Sequence, residues 1–171
     1  MTCPIGAEEV KAEEMPGMWE EQWSRVQRWY EAFTQTEAGR RHDRTSDDYL
    51  DEVHAFFQNC YHLKDWLKND PASKVLAKDV EDMLAKSTSL SLCADLANGS
   101  KHLTLKTTRT GDLGTKFGPK HFALGLTAGQ TPVISVSLEV LSGGSTWDAY
   151  DIATQCVSEW ETYLKGIGLL S

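Results

Sequence analysis

Apolar side chains recur along the chain first with the period of helices and then with that of strands. Trp19, Trp23, Val26, Tyr30 and Phe33 follow one another at spacings of three and four, which places them on one face of a helix beginning at Met18. Gly39 and the polar run Arg40 to Arg44 end it. Thr45 or Ser46 is suited to cap a second helix, with Asp47 and Asp48 at the positive end of its dipole. Its inward stripe is Tyr49, Val53, Phe56, Cys60, Leu63 and Leu67. Asn69, Asp70 and Pro71 read as a break and as a new start, because aspartate caps well and proline is tolerated at the first helical position. A third helix with Val75, Leu76, Val80, Met83 and Leu84 is expected there. Ser87, Thr88 and Ser89 then turn the chain into a fourth helix whose buried side is Leu92, Cys93, Leu96 and Leu103. Gly99 costs that helix about 1 kcal/mol relative to alanine, so it implies close packing or an early end.

From Thr104 the period changes. Gly111, Gly114, Gly118 and Pro119 make residues 107–120 read as a mobile connection. Phe122, Leu124 and Leu126 then alternate on one strand, and Ile134, Val136, Leu138 and Val140 on the next, with a loop at Gly129 to Pro132. This predicts a hairpin at about 121–141 with one buried face. Ser145 or Thr146 is expected to cap a last helix carrying Tyr150, Ala153, Val157, Trp160, Leu164 and Ile167. The fold class is therefore α+β: a mainly helical bundle of about five helices with a β-hairpin inserted before the last. Residues 1–17 read as a loose lead-in and residues 18–171 as one domain, without repeats or heptads.

Composition narrows the function classes. A length of 171 residues, 40% apolar, with six tryptophans, supplies the core of one domain. A balance of 17 Lys and Arg against 25 Asp and Glu, net charge -8, opposes general attraction to double-stranded DNA or anionic membranes. No apolar run approaches the roughly 20 residues of a membrane span, and Met1 to Glu14 lacks the order of a signal peptide, so a cytoplasmic protein is expected. Cys3, Cys60, Cys93 and Cys156 form no Cys-x-x-Cys pair, and three of them occupy apolar helical positions. They read as reduced core residues. Lys101 to Lys120 holds five Lys or Arg against one acid, a basic patch on an acidic chain.

At about 100° per residue, His62 lies opposite the core stripe of the second helix, with Gln58, Asn59, Asp65 and Trp66 near it. On the fourth helix Asp95, Asn98 and His102 share an arc facing away from Leu92, Leu96 and Leu103. Two accounts stand: solvated sides of bundle helices, or two polar faces that meet across a groove or a subunit boundary. A metal site built from His62, Asp65, Asp95 and His102 is not expected, since no two histidines lie one turn apart. His42, His54 and His121 have no partner in the sequence and read as ordinary. No phosphate-cradling glycine loop or nucleophile elbow is present.

The segment Ala97-Asn98-Gly99-Ser100-Lys101-His102 resembles the signature of the HEPN superfamily, in which an arginine, often followed by asparagine, precedes a histidine by a few residues on a late helix of a bundle. Asn98 matches the asparagine and His102 the histidine, whereas Ala97 stands at the arginine position. Many members cleave RNA without metal or cofactor at a composite homodimer site, often in toxin or phage-defence settings. Others are inactive binders or partners of nucleotidyltransferases. For a catalytic site of this kind His102 is the expected general acid or base and Asn98 orients phosphate or the imidazole; His62 and Asp65, one helical turn apart, either supply a second proton-transfer group or fix its tautomer, or simply form a surface hydrogen bond. Lys101, Asp95, Lys106 and Arg109 are the expected binding residues, although Lys101 does not reproduce arginine's planar grip on phosphate. The expected function is RNA binding or ribonuclease action, with a homodimeric, non-catalytic protein-interaction module as the alternative.

Overall fold

The computed structural model describes residues 17–102 and 105–171. The lead-in read for residues 1–16, Cys3 and Leu103 thus lie outside the described residues. Five α-helices and four strands follow in the order α1 (Met18–Ala38), β1 (Arg40–Arg41), α2 (Ser46–Asn69), α3 (Ala77–Lys86), α4 (Thr88–Gly99), β2 (Lys116–Gly125), β3 (Val133–Ser142), β4 (Ser145–Asp148) and α5 (Ala149–Gly166). The class is α+β, as the alternation of periods predicts.

Helix α2 forms where the sequence places it. The Thr45 hydroxyl accepts the Asp48 N–H at 3.3 Å and the Asp48 carboxylate accepts the Thr45 N–H at 2.9 Å. Such a reciprocal cap is worth about 1 kcal/mol. Every residue of its predicted stripe is buried. Helix α1 begins at Gly17, which has no capping side chain. Its cap comes instead from Asp70, whose carboxylate accepts the Trp19 N–H at 2.9 Å and the Ala72 N–H at 2.9 Å.

The third helix starts later than the sequence predicts. Asp70 and Pro71 open only a single 3-10 turn, Pro71–Ser73. Ser73 closes that turn, its hydroxyl donating to the carbonyls of Leu67 at 2.6 Å and Asp70 at 2.9 Å. Lys74 then takes a left-handed φ of 54°, which breaks helical continuity before Ala77. Helix α4, capped by Ser87, ends at Gly99. It is the central element: every side chain from Ser89 to Ala97 is buried, because α2, α3 and α5 all pack on it.

The hairpin is longer than expected and belongs to a four-stranded antiparallel sheet of order β1-β3-β2, with β4 also on β3. The residues read as a mobile connection supply the first half of β2, and a register shift between Phe117 and Lys120 marks a bulge at Gly118 and Pro119. Gly39, at φ 102° and with a virtual Cβ only 3.1 Å from Val133, lets the chain leave α1 and pair at once as Arg40 with Ile134. Ser145 and Thr146 do not cap α5; they pair with β3, and Asp148 caps instead, accepting from Tyr150 N at 2.8 Å and Asp151 N at 3.0 Å. One core cluster draws on all five helices and on Ile134, Val136, Leu138 and Val140 of β3.

The expected buried face of the hairpin exists on β3 alone. Phe122 is 46% exposed, Leu124 54% and Leu126 72%, although Phe122 pairs with the buried Val136 and Leu124 with Ile134. The helices cover β3, which is paired on both sides, and reach β2 only at its start, where Phe117 packs on His54 and Phe57 of α2.

Candidate functional site

The polar residues at the end of α4 meet α2 within one chain. Gln58 Nε2 donates to Ser100 Oγ at 2.9 Å, and the Lys101 ammonium lies 2.6 Å from His62 Nε2. Burial, and then the Lys101 charge, hold His62 below its ordinary pKa. Its Nε2 therefore accepts from Lys101, and that nitrogen is already engaged. Asp65 does not hydrogen-bond His62; it is paired with Lys64 at 2.6 Å and Lys68 at 3.2 Å. Burial would raise its pKa, but the two ammonium groups win and lower it.

Asp95 is not on a solvated face. It is 1% exposed, and its carboxylate gathers the chain leading to β2, accepting Arg109 N at 2.7 Å, Thr110 N at 3.0 Å and Thr110 Oγ1 at 2.6 Å. Arg109 is likewise committed: its guanidinium pairs with Glu81 and lies 5.8 Å over the Tyr61 ring. Neither residue is free to bind a ligand. Glu81 also pairs with Lys68 at 2.6 Å. Burial opposes ionisation of Glu81, and the contacts with Lys68 and Arg109 outweigh it, setting its pKa at about 2.

Beyond Gly99 the chain makes one more turn, with the Asn98 carbonyl accepting Lys101 N at 3.0 Å and His102 N at 3.1 Å. This turn brings His102 to the lip of a cleft of about 400 Å3 between α2, the end of α4 and the start of β2, where His54, Ser100, Lys116 and Phe117 also stand. A neighbouring hollow of about 470 Å3 is lined by Asn98, His102 and Lys106. Of the residues singled out in the sequence, His102, Asn98 and Lys106 are thus grouped at one surface. His62 and Lys101 are joined beside it, while Asp65, Asp95 and Arg109 are bound up elsewhere.

His54 and Lys116 were not marked by the sequence. His54 packs edge-on against Phe117 at 4.6 Å between ring centroids, and burial depresses its pKa. Its only signal in sequence is its position just beside the core stripe of α2, which many surface histidines share. The cleft thus offers two imidazoles, a hydroxyl and an ammonium beside an aromatic ring.

A pH profile of stability follows. His54 and His62 have folded pKa values below the ordinary 6.5, so the unfolded chain binds protons that the folded chain resists. Their contribution is complete above pH about 6.5 and falls as the pH drops through that value. Glu81, lowered from 4.5 to about 2, adds a second loss between those two values. Urea midpoints from pH 8 to pH 3 are expected to decline in two stages. His54→Gln is expected to flatten the first, and an unchanged profile refutes the assignment.

Comparison with family models, with curated proteins and with solved structures finds no match to any of them. Among the described residues no helix is long and apolar enough to cross a membrane.

Proposed function

We propose that the chain is a non-catalytic interaction module that works as a homodimer joined through β2. The observation that carries this reading is the open, apolar edge of β2. Among the described residues β2 bonds to β3 on one side only, and the exposed Phe122 and Leu124, paired with Val136 and Ile134, continue the inner face of β3 past the reach of the helices, with Leu126 following. An open edge with exposed apolar side chains is a template for another strand, and isolated chains seldom leave one uncovered. The bulge and Pro119 blunt the first half of the strand, leaving Lys120 to Gly125 in unbroken register with β3. A second copy fits because an antiparallel edge is complementary to itself about a two-fold axis. Residues 121–126 also carry no acidic or basic side chain other than His121, so two chains of charge -8 meet where their charges oppose them least.

Sedimentation equilibrium tests the reading. The natural sequence is expected to be dimeric, and Leu124→Lys, at a position more than half exposed in one chain, to weaken association at least about 30-fold, the weight of a central interface residue, with little change in melting temperature. A monomeric natural sequence, or a variant that stays dimeric, overturns it.

A second reading, metal-independent RNA binding or cleavage of the HEPN kind, is favoured by the cleft. There His102 and His54 are candidate proton-transfer groups and Lys116 is a cation for phosphate. Ala97, at the position of the family arginine, is 1% exposed, which supports the non-catalytic reading, since a side chain there points into the core. End-labelled RNA in chelator distinguishes the two: cleavage that His102→Ala abolishes favours the nuclease, and neither cleavage nor retention leaves the interaction module.

A further inference from the structure

Cys60 on α2, Cys93 on α4 and Cys156 on α5 converge where the three helices meet, their sulfurs all within 4.8 Å of one another. All three are fully buried free thiols. Trp160 follows Cys156 by one turn of α5 and is equally buried, yet its indole Nε1 has no hydrogen-bond partner of normal geometry among the described residues. The indole lies beside the Cys60 thiol, as do Cys93 and Cys156. A buried donor without a full acceptor is costly, and a cysteine sulfur that has given up its proton offers lone pairs alone to such a donor.

We propose that Cys60, Cys93 and Cys156 form a three-sulfur binding site for a trivalent thiophilic species, of which arsenous acid is the simple representative. Coordination number and charge lead to this class. Zinc takes four ligands in structural sites, and among the described residues no fourth cysteine, histidine or carboxylate joins the cluster. Cu(I) accepts three thiolates, but the complex carries two negative charges into a dry core, and burying even one unpaired charge costs several kcal/mol. A trivalent centre with three thiolates is neutral. The exchange balances without oxidant or reductant: As(OH)3 and three thiols give As(S-Cys)3 and three waters, each thiol proton leaving with a hydroxide. A trivalent arsenic keeps a lone pair and binds three sulfurs as a pyramid; at bonds of about 2.3 Å the sulfurs lie roughly 3.5 Å apart, so from separations within 4.8 Å they need to approach by no more than about 1.5 Å. Cys93, whose thiol donates to the Phe57 carbonyl at 3.4 Å, gives up that contact on binding.

Native mass spectrometry of the reduced full chain with arsenite tests the proposal, in one arm added to folded protein and in a second present during refolding from urea. One arsenic less three hydrogens per chain is expected in at least the refolding arm, with a raised melting temperature. Cys3→Ala is expected to retain this adduct. Cys60→Ala and Cys156→Ala, whose folding far-ultraviolet circular dichroism verifies, are expected to lose it, and Trp160→Phe to weaken it by about tenfold, as removal of a ligand's hydrogen-bond partner does. Absence of the adduct in both arms, its survival in Cys60→Ala, or equal stoichiometric uptake of Zn(II) or Cu(I) overturns the proposal.

Discussion

Replacing Asp95 by alanine is expected to lower the stability of the chain by about 3 to 5 kcal/mol, a large effect for one residue of a central helix. Its carboxylate accepts two backbone N–H groups, from Arg109 and Thr110, and the Thr110 hydroxyl. The variant leaves the two N–H groups half-buried without an acceptor, while the Thr110 hydroxyl keeps Thr115 Oγ1 at 3.2 Å, and each bond to a charged partner is worth about 1.5 to 3 kcal/mol. Asparagine does not rescue the site, because its amide presents a donor to other donors. At about 2 to 4 °C per kcal/mol for a chain of this size, the melting temperature falls by roughly 6 to 20 °C. The cleft goes with it, since Leu105, Leu113 and Thr115 in its wall flank the segment that Asp95 holds. A drop of less than about 3 °C shows that the loop is held by other means.

The second large effect is expected at Glu52, a buried carboxylate between α1, β1 and α2. It accepts from the Thr36 hydroxyl at 3.3 Å and from Arg40 at 3.2 Å, and it also pairs with Arg44. Glu52→Ala removes the shared anion and leaves the Arg40 guanidinium, 18% exposed, without its partner. Breaking a buried pair costs about 3 to 5 kcal/mol. Arg44 is nearly half exposed and returns to water at little cost, so about 2 to 4 kcal/mol is expected. The loss is local in its first consequence, because Arg40 and Arg41 form β1 on Val133 and Ile134. Amide exchange at these residues is expected to accelerate in the variant well before global unfolding, while exchange in α4 follows global stability. Equal acceleration throughout refutes a specific tie between Glu52 and β1.

Neither residue stood out in the sequence for the role it plays. Asp95 shares a bearing with Asn98, and a helical wheel reports bearing alone. Whether that bearing meets water depended on the chain after α4 folding back over it. Glu52 lies between the polar Asp51 and the stripe residue Val53, and its partners Arg44, Arg40 and Thr36 lie 8, 12 and 16 residues earlier. The motif residues divide in the same manner. Asn98 and His102 stay near each other because one turn of helix joins them, whereas His54 reaches the same cleft only through the packing of α2 beside α4.

What the sequence determined by itself is local. The apolar spacing of α1, α2 and α5, a cap at Thr45 or Ser46 for the second helix and the existence of two strands before the last helix all follow from interactions within a few residues, whereas Gly99 left close packing and an early helix end equally open. What the tertiary structure decided is which surfaces find a cover. β2 and β3 alternate alike in sequence, yet the helices bury Ile134, Val136 and Leu138 and leave Phe122 and Leu124 exposed. Cys60, Cys93 and Cys156 are each one apolar position in a stripe, and only the crossing of α2, α4 and α5 brings their sulfurs together. Periodicity reports the direction in which a side chain points, and the free energy of that direction is set by distant segments that no local pattern encodes.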